Sequence, residues 1–129
     1  MADPAKTRIL VIDDAALVRM YYRDALERAG FEVEEAFNGL EALEKLLAHP
    51  AELLIVDVNM PQMDGFTFLK VLRCQDSAVC GTPAIVISTE AGLQDRTAAR
   101  AAGANFYLVK PVTPETLVAH VQLMSGAPA

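Results

Sequence analysis

Two adjacent acids, Asp13 and Asp14, end the apolar run RILVI. A third acid, Asp57, ends LLIV. Ser88 and Thr89 follow AIVI, and Lys110 follows NFYLV. Crowded carboxylates repel one another, so they carry raised pKa values unless a cation intervenes. A hard divalent ion answers that repulsion. Mg²⁺ takes oxygen ligands, keeps several waters, and is usually held by one or two carboxylates plus a phosphate. A carboxylate can also attack phosphorus and form an acyl phosphate. Phosphoryl transfer needs mainly positioning and charge neutralisation, which a lysine and a serine hydroxyl can supply. Each residue also has a plainer role. Asp13 and Asp14 could cap a helix, Asp57 could open a loop, Ser88 and Thr89 could be ordinary strand-end hydroxyls, and Lys110 could be a surface charge. The chemical reading gains because all of them stand at the ends of apolar runs.

Those runs must be strands that share one edge. RILVI (Arg8 to Ile12) is nearly all apolar, as a parallel strand covered on both faces should be. EVEEA (Glu32 to Ala36) alternates and suits an edge strand. ELLIVD, PAIVIS (Pro83 to Ser88) and NFYLV (Asn105 to Val109) are the third, fourth and fifth strands. Between them lie helical patterns. The first is marked by Leu17, Val18, Tyr21, Ala25, Leu26 and Ala29, with Gly30 as its stop. Asn38-Gly39 makes a turn, and Leu40, Leu43, Leu46 and Leu47 mark a second helix before Pro50. A third runs from about Gly65 to Arg73 with Phe66, Leu69 and Leu72 inward. GLQDRTAARAAG is helical but relies on alanines. Thr113 caps the last helix with Pro114 in the first turn, and Leu117, Val118 and Val121 form its buried stripe. Five strands alternating with five helices imply a parallel sheet covered on both faces. Functional loops then gather at the carboxyl ends of the strands, near the switch in winding direction. The order 2-1-3-4-5 sets strands one and three side by side, ~4.8 Å apart, and brings the three carboxylates into one pocket. A glycine-rich phosphate loop after the first strand is absent, which argues against a dinucleotide fold.

The chain has 129 residues, 53% of them hydrophobic, and a formal net charge of −6. That is the size of one ordinary domain, and positions 1–129 are expected to form one, with a core at about 8–124. The acidic balance makes nucleic acid and anionic membranes poor partners. No apolar run approaches the ~20 residues that span a bilayer, and the N-terminus lacks a signal-peptide pattern. A cytoplasmic monomer is expected. Cys74 and Cys80 have no further ligands at metal-site spacing and are expected to be free thiols. His49 and His120 are expected to be surface or helix residues.

LVIDD, AFNGLEAL, VDVNMPQMDG, VIS and AAGANFYLVKP, in that order, resemble the receiver domain of two-component response regulators, especially its stand-alone, chemotaxis-type (CheY-like) members. The likeness runs from about Arg8 to Met124. It implies a flavodoxin-like (βα)5 fold with Asp57 as phosphoacceptor. It implies that Asp14 binds Mg²⁺ directly and Asp13 largely through water, with Asp57 and the backbone carbonyl of Asn59 completing the protein ligands. Ser88 is the implied switch hydroxyl, Tyr107 the aromatic partner that turns inward, and Lys110 the phosphoryl contact, in a Lys110-Pro111 bond that is often cis. Asn59 and Glu90 occupy positions that tune phosphoryl lifetime through water access. Val112 departs from the Phe common after Lys-Pro.

The same likeness implies a sensor histidine kinase as phosphodonor and a downstream protein partner, with a flagellar motor switch protein expected. A phosphorelay intermediate or phosphate sink is the alternative. The domain would catalyse only its own phosphorylation and dephosphorylation, so it is not expected to be an enzyme. A phosphohydrolase with an Asp nucleophile usually has a second acid two residues on; here that residue is Asn59. An inactive binding module would not need Asp13, Asp14, Asp57, Ser88 and Lys110 all intact.

Overall fold

A computed structural model describes residues 7–60, 63–75, 79–90 and 92–125. In chain order the elements are β1 (Arg8–Ile12), α1 (Ala16–Arg28), β2 (Glu32–Ala36), α2 (Gly39–Ala48), β3 (Leu53–Asp57), α3 (Gly65–Arg73), β4 (Ala84–Ser88), α4 (Leu93–Ala102), β5 (Phe106–Val109) and α5 (Pro114–Ser125). The strands form one sheet in the order β2-β1-β3-β4-β5, and every neighbouring pair is parallel. The alternation implies this parallel sheet, and the resemblance to receiver domains implies its flavodoxin-like order.

Side chains alternate between the two faces of a strand, and both faces are covered. Leu10, Ile12, Leu54, Val56 and Val86 pack with Leu46, Phe68, Leu69 and Leu72 on one side. Ile9, Val11, Leu53, Ile55 and Ile87 pack with Tyr22, Leu26, Leu117 and Val121 on the other. That double burial explains why β1, β3 and β4 read as unbroken apolar runs. β2 lies at the edge, and its acids meet basic partners: Arg8 pairs with Glu34, and Arg19 with Glu35.

Helix ends follow local chemistry. Asn38 accepts the Glu41 N–H and so caps α2 instead of only making a turn. Asp64 accepts the Thr67 N–H at 2.8 Å and caps α3, and Thr113 accepts the Thr116 N–H ahead of α5. Gly30 stops α1 in the left-handed region, at φ 96°. Among the apolar residues that mark α1 and α2, Leu17, Tyr21, Leu40 and Leu47 face solvent. Tyr22 and Ala42 take the buried places. These helices carry apolar residues on more than one face, so spacing alone does not choose the inner one. On α3, Phe66 is half-buried and Phe68 is the fully buried ring. α4 buries only Ala99 and Ala102, in line with its thin apolar stripe. Cys74 and Cys80 are free. Pro61, within the motif VDVNMPQMDG, lies outside the described residues. Among the described residues, no helix is long and apolar enough to cross a membrane.

Candidate functional site at the carboxyl edge of the sheet

Strand register builds the site. Ile12 of β1 pairs with Val56 of β3, so the next residues, Asp13 and Asp57, emerge side by side. One carboxylate oxygen each from Asp13, Asp14 and Asp57 lie within 4.8 Å of one another. Asp13 and Asp57 are 2% and 5% exposed, whereas Asp14 is open to solvent. Lys110 reaches in from the end of β5. Its Nζ stands 3.2 Å from Asp57 Oδ1 and 4.0 Å from Asp13 Oδ2, and its backbone N–H donates to the Ser88 carbonyl at 2.8 Å. The Lys110-Pro111 peptide is cis.

Asp13 and Asp14 do not cap α1. The residue at that position is Ala15, and no side chain caps the helix. Asp13 Oδ1 instead accepts the Ala15 N–H at 2.9 Å. Ser88 is fully buried at the end of β4 and accepts the Glu90 N–H at 3.1 Å. Its neighbour Thr89 is exposed. The Glu90 carbonyl accepts the Tyr107 hydroxyl at 2.5 Å, so one residue, Glu90, links the buried serine to the tyrosine through its backbone N–H and its carbonyl. Arg96 of α4 lies 5.2 Å from the Tyr107 ring centroid, a distance at which a cation is attracted to an aromatic face. Asn59 and Glu90 are both exposed at the rim, and the Asn59 backbone N–H acts to lower the Asp57 pKa.

Burial raises the Asp57 pKa; Lys110 and the Asn59 N–H oppose the rise, and Asp14 adds to it. Burial also raises the Asp13 pKa, against the Ala15 N–H and Lys110 and with the help of Asp57 and Asp14. The cluster is therefore short of positive charge. Three carboxylates against one ammonium leave a formal excess of two negative charges. Asp13 Oδ2 is buried without a hydrogen-bond partner, which is costly for a polar atom. Hard oxygen donors, an excess of two charges and an orphaned carboxylate oxygen together fit a divalent ion such as Mg²⁺.

Gly65 belongs to the site for a reason the sequence does not display. A Cβ at this position would lie 2.4 Å from the Asp57 backbone oxygen and 3.0 Å from Val58 Cα. The start of α3 therefore rests directly on the backbone that carries Asp57. Gly65→Ala is expected to destabilise the fold by about 1–3 kcal/mol, the usual cost of overpacking. A urea titration followed by circular dichroism measures it; an unchanged midpoint would show that the contact relaxes freely. Arg19 was also absent from the sequence-derived site. Its guanidinium donates to the Asp13 carbonyl at 2.6 Å.

Comparison with known proteins gives a consistent answer. The model of the response regulator receiver domain family matches residues 9–122. The chain is 40% identical over 121 residues to chemotaxis protein CheY1 of Helicobacter pylori, covering 92% of this chain and 97% of that protein. It is 38% identical over 117 residues to transcriptional regulatory protein PrrA of Mycobacterium bovis, covering 91% of this chain and 49% of that longer protein. Chemotaxis protein CheY4 of Vibrio cholerae superposes with a TM-score of 0.87 at 38% identity, over 93% of this chain and 99% of that one. With this fold, this cluster of acids and these likenesses, the chain belongs to the response regulator receiver domain family, among its CheY-like members.

Proposed function

We propose that this receiver domain takes a phosphoryl group from the histidine of a sensor kinase onto Asp57 and passes the signal to a protein partner through its α4-β5-α5 face. The observation that carries the proposal is a buried Asp57 with Lys110 at 3.2 Å and two further carboxylates within 4.8 Å. An Asp57 oxygen attacks phosphorus, the P–N bond breaks, and its electron pair stays on the donor imidazole. Lys110 neutralises charge on the phosphoryl oxygens. Asp13, Asp14, Asp57 and the Asn59 carbonyl would hold Mg²⁺, which supplies two positive charges to the same oxygens. Ser88 exchanges its contact with the Glu90 N–H for a phosphoryl oxygen, and the carbonyl of the same residue, Glu90, holds the Tyr107 hydroxyl. Phosphorylation then biases a two-state equilibrium of the α4-β5-α5 face. The small buried area of α4 keeps the cost of that shift low. Asn59 and Glu90, exposed at the rim, set the access of hydrolytic water. Relatives named as chemotaxis proteins support a flagellar motor switch as the partner. The domain works as a signalling protein that phosphorylates and dephosphorylates only itself.

Incubation with Mg²⁺ and acetyl phosphate, followed by intact-mass measurement under conditions that preserve acyl phosphates, tests the chemistry. One phosphoryl adduct is expected, and EDTA should prevent it. An unchanged mass would point to a binding module without chemistry. Release of phosphate from unrelated phosphoesters would point to a hydrolase.

The approach of a protein donor has its own prediction. Leu17, Met20, Phe37 and Leu40 are 78%, 61%, 50% and 49% exposed on the elements that flank the acids. Leu17→Glu is expected to slow transfer from a phosphorylated kinase domain at least ~10-fold, the order lost with a contact residue at an interface centre. Transfer from acetyl phosphate should stay near the wild-type rate. Equal slowing with both donors would mean that the substitution acts on the site itself.

A further inference from the structure

We propose that Arg19 is a positioning residue for the divalent-cation site, acting through the backbone of Asp13. The inference rests on reading the acidic cluster as a Mg²⁺ site. The Arg19 side chain is 16% exposed and held at two points. Its Nη1 donates to the Asp13 carbonyl at 2.6 Å. Its Nε donates to Glu35 Oε1 at 2.9 Å. Glu35 is itself fixed, because its second oxygen accepts from Arg23 Nη1 at 2.5 Å. The edge strand β2 thereby anchors a rigid fork that grips the turn after β1.

The grip matters because of what else holds Asp13. Its N–H donates to the Ala36 carbonyl at 3.1 Å, and its Oδ1 accepts the Ala15 N–H. Oδ2 is the buried oxygen of Asp13 that makes no hydrogen bond, and it faces the cluster, 4.0 Å from Lys110 Nζ. The carbonyl that Arg19 holds belongs to the Asp13–Asp14 peptide. A peptide is planar, so fixing that C=O direction also fixes where the Asp14 Cα stands. Asp14 is the exposed member of the trio and has no burial to hold it in place.

Charge and geometry pull in opposite directions here, which makes the inference testable by sign. A cation near a cation site weakens binding through its charge, and Glu35 offsets that effect. Support for Mg²⁺ binding must therefore come from geometry. Partners that orient metal ligands from outside the coordination sphere are typically worth 10–100-fold in affinity.

Isothermal titration of Mg²⁺ into wild type, Arg19→Met and Arg19→Lys distinguishes the cases, with circular dichroism confirming that each protein is folded without Mg²⁺. Arg19→Met retains the apolar stem and loses both donors. Its Mg²⁺ affinity is expected to fall about 10-fold. Arg19→Lys offers one point donor in place of a fork and should recover part of the loss. If Arg19→Met does not fold, Arg19→Lys carries the test, with an expected loss of roughly 3-fold as a partial form of the same effect. Unchanged or tighter binding by a folded variant overturns the inference, since a nearby charge alone predicts tighter binding and a purely structural residue predicts no change. Absence of saturable binding by the wild type would overturn the metal site and this inference together.

Discussion

Asp57→Asn is expected to keep its unmodified mass with Mg²⁺ and acetyl phosphate, under conditions in which the wild type gains one phosphoryl group. The amide lacks the charged oxygen that attacks phosphorus, so the adduct should fall at least ~100-fold, as when other nucleophiles are removed. Asp13 is a poor substitute: its Oδ1 is occupied by the Ala15 N–H and it lies farther from Lys110. The variant should fold. Burial already works against the Asp57 charge, and removing it cuts the cluster's excess negative charge from two to one. Its melting temperature without Mg²⁺ should therefore equal or exceed that of the wild type. A phosphoryl adduct at wild-type yield would place the acceptor on another residue.

Mg²⁺ is expected to stabilise the wild type by about 2.7 kcal/mol when present at about 100 times its Kd. Asp13→Asn should lose most of that gain. Without Mg²⁺ the order reverses near neutral pH, and the variant is the more stable protein. The reason is the raised pKa of Asp13, caused first by burial and then by Asp57 and Asp14 against the Ala15 N–H and Lys110. A carboxylate whose folded-state pKa exceeds its unfolded value costs stability where both states are ionised. That cost disappears as pH falls through the folded-state pKa. The advantage of Asp13→Asn should therefore shrink on acidification and vanish once Asp13 is protonated in both states. Urea unfolding across pH, with and without Mg²⁺, measures both effects. A variant advantage that grows toward low pH would contradict the assigned direction.

The legible parts of the sequence were those with one dominant local cause. β1, β3 and β4 are covered on both faces, so their apolar runs are continuous. The charge-rich β2 lies at the edge, where its acids can reach water and arginine. Thr113 and Gly30 act through neighbours a few residues away. Asp13, Asp14, Asp57, Ser88 and Lys110 all stand at strand ends, and a parallel sheet sends all those ends to one edge. Ser88 is buried because it is the last residue of β4, a strand covered on both faces, whereas Thr89 lies past the strand's end and is exposed.

Other features depended on contacts far apart in sequence. The inward face of α1 was set by docking against the sheet and α5, which chose Tyr22 over Tyr21 although both fit helical spacing. Phe68 fills the core where Phe66 does not, because the Asp64 cap and the contact of Gly65 with the Asp57 backbone fix the rotation of α3. Arg19 binds the Asp13 carbonyl while pairing with Glu35, 16 residues away. The sequence alone determined the order of elements and the residue types at the strand ends, because hydrophobic period and local capping are short-range. Tertiary structure alone decided which helix faces turn inward, how closely α3 approaches Asp57, and which carboxylate oxygen is left without a hydrogen bond. Those outcomes depend on shape and hydrogen bonding between segments that meet only when the sheet is assembled.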